Sequence, residues 1–158
     1  MNEVAGLPTH VLLVHAVIVL LPLAALAVVL SALWPAARRR LGLATPVLAV
    51  VAAVLVPVTA NAGEWLLPRV GGPPSAIEHA ELGRTLWWWS TALALVALVQ
   101  YLWHRYQARR PEGAGGPRWI TAVLLIAALG VSVGTTVRTV QVGDSGSRSV
   151  WEEAYRTD

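Results

Sequence analysis

The chain contains no cysteine and no lysine. The first absence excludes disulfides, thiolate catalysis and every cysteine-ligated zinc or iron–sulfur centre. The second means that all 12 basic residues are arginines. Charge of either sign is scarce, at 13% of 158 residues against 56% hydrophobic. That balance belongs to a polytopic membrane protein, and the length suits one compact domain. The sequence pI of about 10.2 would suggest nucleic acid for a soluble chain. Here the arginines cluster beside long apolar runs, so membrane topology accounts for them and no nucleic-acid partner is expected.

From Val11 to Trp34 only His15, Pro22 and Ser31 interrupt an otherwise apolar run. About 20 apolar helical residues cross a bilayer core of roughly 30 Å. Four such runs recur, at 9–34, 45–67, 85–104 and 119–140, and the amphipathic stretch Ala76 to Gly83 extends the third backwards. The expectation is an all-α integral membrane four-helix bundle with helices at about 9–34, 45–67, 76–104 and 119–140. It forms a single domain over 1–158, with a short outward tail over 141–158. Pro22 and Pro57 fall inside helices, which membrane neighbours can tolerate, so two kinks are expected. The Gly/Ser-rich segment Gln141 to Trp151 reads as a turn that docks Val150 and Trp151 at the membrane surface. The first ten residues lack the positive region of a secretory signal, so the first run reads as an uncleaved helix.

Arginine placement sets the orientation. Arg38, Arg39 and Arg40 follow run one, and Arg105, Arg109, Arg110 and Arg118 lie between runs three and four with Glu112 as the lone acid. The remaining acids gather with fewer arginines on the opposite side. The positive-inside rule puts both Arg-rich loops in the cytoplasm and both termini outside, in the cytoplasmic membrane. Trp34, Tyr101, Trp103, Tyr106 and Trp119 then mark the inner boundary, and Trp65 with Trp87, Trp88 and Trp89 the outer one. Gly130 and Gly134 form a GxxxG that lets a helix approach closely. It suits a neighbour in the same bundle, a membrane protein partner or a homo-oligomer.

Folding the four runs together gathers His10, His15, Asn61, Glu64, His79, Arg138 and Asp144 at the outer half, while His104 stays at the inner boundary. Ionisable groups in membrane helices are costly and default to functional hypotheses. His15 lies roughly 10 Å along the first helix and needs a partner, either a backbone carbonyl or Asn61 on one reading, or a ligand on the other. His10 and His15 point about 140° apart on one straight helix, so a shared ion requires His10 outside it. Asn61 and Glu64 share a face. His15 with His79 is a candidate bis-imidazole pair for haem b, at unequal depths. A transition-metal site built from His10, Glu64 and His79, with His15 nearby, is the other cofactor candidate. Gly143-Asp144-Ser145-Gly146 matches the nucleophile motif of chymotrypsin-type proteases, but the chain has no two β-barrels to carry the rest of that machinery.

The stretches Gly6-Leu7-Pro8-Thr9-His10 through His15, His79 through Gly83, and Val142 through Ser147 with Val150 and Trp151 together resemble a bacterial family of four-helix membrane proteins catalogued as domain of unknown function 2231. The resemblance covers nearly the whole chain. The family looks like His-Pro-x-x-Val-His followed by Phe-Pro at its first helix; here Val11 stands in place of that proline, and Ala16 and Val17 in place of Phe-Pro. Its tail often carries Gly-His where this chain has Gly143 and Asp144, and Asp144 can still ligate a metal or pair with Arg138. The resemblance implies a polytopic envelope protein whose paired histidines matter, without an established activity.

Two functions follow as expectations. One is an outward His/Glu site holding haem or a transition metal in a redox-associated role. The other is an accessory or structural membrane subunit without cofactor. Neither requires an enzyme, and no catalytic residues are assigned.

Overall fold

The computed structural model describes residues 3–4, 6–111 and 116–151. A short antiparallel ladder of β1 (Glu3–Val4) and β2 (Leu7–Pro8) leads into α1 (Thr9–Leu33). A short helix α2 (Pro35–Leu41) follows, then α3 (Ala44–Leu66), a 3₁₀ turn (Leu67–Val70), α4 (Pro74–Ala108) and α5 (Arg118–Trp151). Prolines sit where a missing N–H costs least, with Pro35 and Pro74 opening α2 and α4. The link from α3 to α4 reverses through Gly71 and Gly72, whose φ values of 82° and 57° favour glycine.

α1, α3, α4 and α5 are each long and apolar enough to cross a membrane. They form a ring in which α1 and α4 each pack on both α3 and α5, and barely touch across the diagonal. The bundle therefore has two ends. The terminal end holds the start of α1, the finish of α3, the start of α4 and the finish of α5. The arginine end holds α2 and the approach of α4 to α5.

The interior is small and partly polar, and the exterior is large and apolar. Ala24, Ala25, Val28, Ala49, Leu93, Ala97 and Ala128 make one buried cluster, and Val17, Leu21, Ala52, Val56 and Leu86 a second nearer the terminal end. Ser90 and Thr135 are wholly buried, while Ile126 is 71% exposed. In water such a surface would aggregate; against lipid tails it is the favourable arrangement, and small residues let the backbones close up. Side-chain hydroxyls bind across helices, Ser132 Oγ to the Ala25 carbonyl at 3.2 Å and Thr135 Oγ1 to the Trp89 carbonyl at 3.3 Å. This is an all-α integral membrane protein in contact with the lipid bilayer.

The GxxxG glycines part company. A Cβ on Gly134 would collide with the Trp89 ring of α4, so this glycine serves packing within the bundle, whereas Gly130 is exposed with no atom within 4 Å of such a Cβ. The tryptophan triplet divides accordingly, with Trp87 and Trp88 facing out and Trp89 turned into the Gly134 notch. At the arginine end, Arg38 folds back so that Nε donates to the Ser31 carbonyl at 2.8 Å and Nη2 to the Ala32 carbonyl at 3.1 Å. These bonds lie at the C-terminal turns of α1, where carbonyls lack helical partners.

One sequence expectation fails locally. Gln141 to Trp151 is not a turn; α5 continues through it. Its serines satisfy their hydroxyls within the helix, Ser145 on Val142, Ser147 on Asp144 and Ser149 on Gly146, at 2.7 to 2.9 Å. Arg148 pairs with Asp144 one turn back at 2.8 Å, and Gly143 and Gly146 let neighbouring side chains lie against the backbone. Local propensity is overruled by packing. Residues 152–158 of the expected tail lie outside the described set.

Candidate functional site

The terminal end brings together two histidines that are far apart in sequence. His10 lies in the first turn of α1 and His79 in the second turn of α4, so His79 is a helix residue and not part of a loop. Their rings meet edge to face, with centroids 6.2 Å apart and planes at 76°.

Each ring reaches a neighbouring helix through a gap left by glycine. His10 Nδ1 lies 2.8 Å from the Thr59 carbonyl of α3. One turn on, at the position that would cover that carbonyl, is Gly63, where a Cβ would come within 2.8 Å of the His10 ring. His79 repeats the device on α5. Its Nδ1 lies 3.0 Å from Ser145 Oγ, and a Cβ on Gly146 would sit 3.0 Å from its ring.

The partners define the tautomers. A carbonyl only accepts, so His10 Nδ1 carries the proton and donates it to Thr59. Ser145 Oγ donates its single proton to the Val142 carbonyl at 2.9 Å, which leaves it to accept from His79 Nδ1. In their neutral forms both imidazoles therefore keep an unprotonated Nε2 with a free lone pair. An N–H held by an oxygen while the other nitrogen stays open is the arrangement that orients metal-bound histidines.

A cavity of about 670 Å³, mostly apolar, lies among the four long helices at this end. That volume is in the range of small-molecule and cofactor pockets, about 300–1,000 Å³. His10, His79, Gly63, Gly146 and the aliphatic side chains Val14 and Leu86 are among its walls. Glu64 and Arg84, which also line it, form an exposed ion pair at 2.9 Å between α3 and α4.

The other sequence candidates have different surroundings. His15 also lines the cavity, but it is exposed and its Nδ1 donates to the Val11 carbonyl of its own helix at 2.7 Å. That carbonyl, and not Asn61, meets its need for a partner. Glu64 is engaged by Arg84, and Asn61 is exposed. Asp144 pairs with Arg148 and not Arg138, which bonds Gln141 at 3.2 Å. Six helical residues place 138 and 144 about 120° apart, whereas 144 and 148 share a face. Among the described residues no three of His, Asp or Glu are grouped to hold a metal ion. Sequence reasoning missed Thr59, Gly63, Gly146 and Arg84. The signal available was a glycine close to the partner oxygen, one turn after Thr59 at Gly63 and next to Ser145 at Gly146. Ser145, part of the protease-like Gly143–Gly146 motif, lies on a helix, donates to the Val142 carbonyl and holds His79.

Comparison with curated proteins and with solved structures finds no match to this chain. A family model described as predicted membrane protein matches residues 6–158, essentially the whole bundle, and the chain belongs to that family, DUF2231.

Proposed function

We propose that this protein is a redox-associated subunit of the cytoplasmic membrane that holds a b-type haem between His10 and His79. The terminal end faces outward, because the Arg-rich loops at the opposite end obey the positive-inside rule.

The observation that carries this reading is the juxtaposition of two imidazoles at 6.2 Å, each with Nδ1 committed to an oxygen acceptor. Two imidazoles this close, each keeping Nε2 open, could hold one iron between them. Donor count then chooses between the two cofactor classes. A bare ion needs three or four protein donors, and no such group exists among the described residues. A haem, which brings most of its iron's nitrogen donors with it, would need only the two histidines of the protein.

The chain's own residues would do three things. His10 and His79 would hold the haem through Nε2, each ring fixed by Thr59 or Ser145 at Nδ1. The apolar walls would keep water from the macrocycle. Arg84 at the rim would offer a guanidinium to a carboxylate in place of Glu64. The haem, when bound, would supply one-electron transfer.

The second reading, an accessory subunit without cofactor, also has an observation in its favour. His10 ties α1 to α3 and His79 ties α4 to α5, which is a structural service in itself. An absorption spectrum of detergent-purified protein, oxidised and then reduced, with metal analysis of the same sample, separates the two. The haem reading expects a Soret band that shifts on reduction and is lost in both His10→Ala and His79→Ala. Folded, monodisperse protein without chromophore or metal would leave the structural reading.

A further inference from the structure

His15 is unused by haem ligation and is the least comfortable residue of the terminal half. It is exposed, five residues and about 7–8 Å further along α1 than His10, among residues that face lipid. Its Nδ1 proton goes to the Val11 carbonyl. In the neutral ring Nε2 is then an acceptor, and an acceptor without a donor in a hydrocarbon setting is costly. The same side of α1 presents Val11 and Ile18, each 41% exposed, above and below the ring. His15, Val11 and Ile18 line the cavity that also contains the His10–His79 pair. The cavity thus reaches from that pair to a lipid-facing stretch of α1, where His15 stands at its side.

We propose that this opening binds a lipid-soluble hydroquinone, whose ring hydroxyl donates to His15 Nε2 while its apolar body lies against Val11 and Ile18. The chemistry selects the class. His15 Nε2 needs a donor, which the quinone form and simple hydrocarbon chains do not offer it. The site needs an uncharged amphiphile, because the stretch of α1 around His15 is apolar and exposed to lipid. It also needs entry from the bilayer, which exposure of Val11 and Ile18 provides. The inference deepens the redox reading by naming the substrate class of its cavity, but binding depends on His15 and not on the haem ligands.

The test uses the full chain in lipid nanodiscs, with empty discs subtracted. The probes are a decyl-substituted benzohydroquinone, kept anaerobic, and its bis-methyl ether, which has the same shape and no donor. One hydrogen bond is worth up to about tenfold in affinity. Wild-type protein is expected to prefer the hydroquinone by about five- to tenfold, His15→Ala to bind both equally, and His15→Gln, whose amide oxygen still accepts, to keep most of the preference. Equal affinity in the wild type would mean that any chain fills the groove and would overturn the proposal. So would a preference that survives His15→Ala, or one lost as completely in His15→Gln. The Soret band of the same samples reads the haem separately. Its absence beside an intact preference would remove the haem and leave the hydroquinone site, whereas a normal Soret band with no preference would do the reverse.

Discussion

The two ends of the bundle each hold histidine, and they treat it in opposite ways. At the terminal end, His10 and His79 each reach an oxygen on an adjacent helix through a gap left by glycine. At the arginine end, both ring nitrogens of His104 are buried and have no hydrogen-bond partner among the described residues. An imidazole inside this bundle is thus organised where a glycine on the neighbouring helix opens the way to an available oxygen. The difference lies in the neighbours, not in the histidine.

Breaking the gap should have the largest effect. Gly63→Ala puts a methyl within 2.8 Å of the His10 ring, so the ring must leave the Thr59 carbonyl. The expected loss is about 1–3 kcal/mol, the usual cost of overpacking, read as reversible unfolding in detergent or bicelles. Gly83→Ala sharpens the contrast, because a Cβ there meets nothing within 4 Å. It should stabilise by about 0.5–1 kcal/mol through helix propensity alone. At the other end, His104→Leu removes two unsatisfied polar atoms and should be neutral or stabilising by about 1 kcal/mol in the same assay, whereas His79→Leu should destabilise. The smallest effect belongs to Gly130→Ala, expected within about 0.5 kcal/mol of wild type, against a clear loss for Gly134→Ala beneath Trp89. If Gly130→Ala instead changed the oligomeric mass in light scattering, the exposed half of the GxxxG would be an interface between chains.

The sequence was most legible where one physical rule acts alone. Long apolar runs must be helices in lipid, because every backbone group has to be satisfied internally. That logic reached all four spans. It reached the chemistry only by neighbourhood. His15, with its depth in the first run, drew more attention than His10, yet its Nδ1 turns to its own Val11 carbonyl while His10 meets His79. Which histidines meet depends on helix rotation, and rotation is set by notches such as Gly63 and Gly146 that look like ordinary loop-formers in a linear reading. The same ambiguity hid the last turns of α5. Gly143 to Ser149 has turn chemistry, and only packing against Ile18 and His79, together with serine back-bonding, shows why it stays helical.

The claim on which the account depends is that His10 and His79 hold their protons on Nδ1 and keep Nε2 open. With four histidines in the chain, ¹⁵N spectra of histidine-labelled protein purified without added haem or metal can be assigned by single substitutions. The account predicts Nδ1–H tautomers for His10 and His79, with hydrogen-bonded Nδ1–H proton shifts that are lost in Gly63→Ala and Gly146→Ala respectively. An Nε2–H tautomer at either residue would contradict it, because the nitrogen assigned to a ligand would already carry the proton.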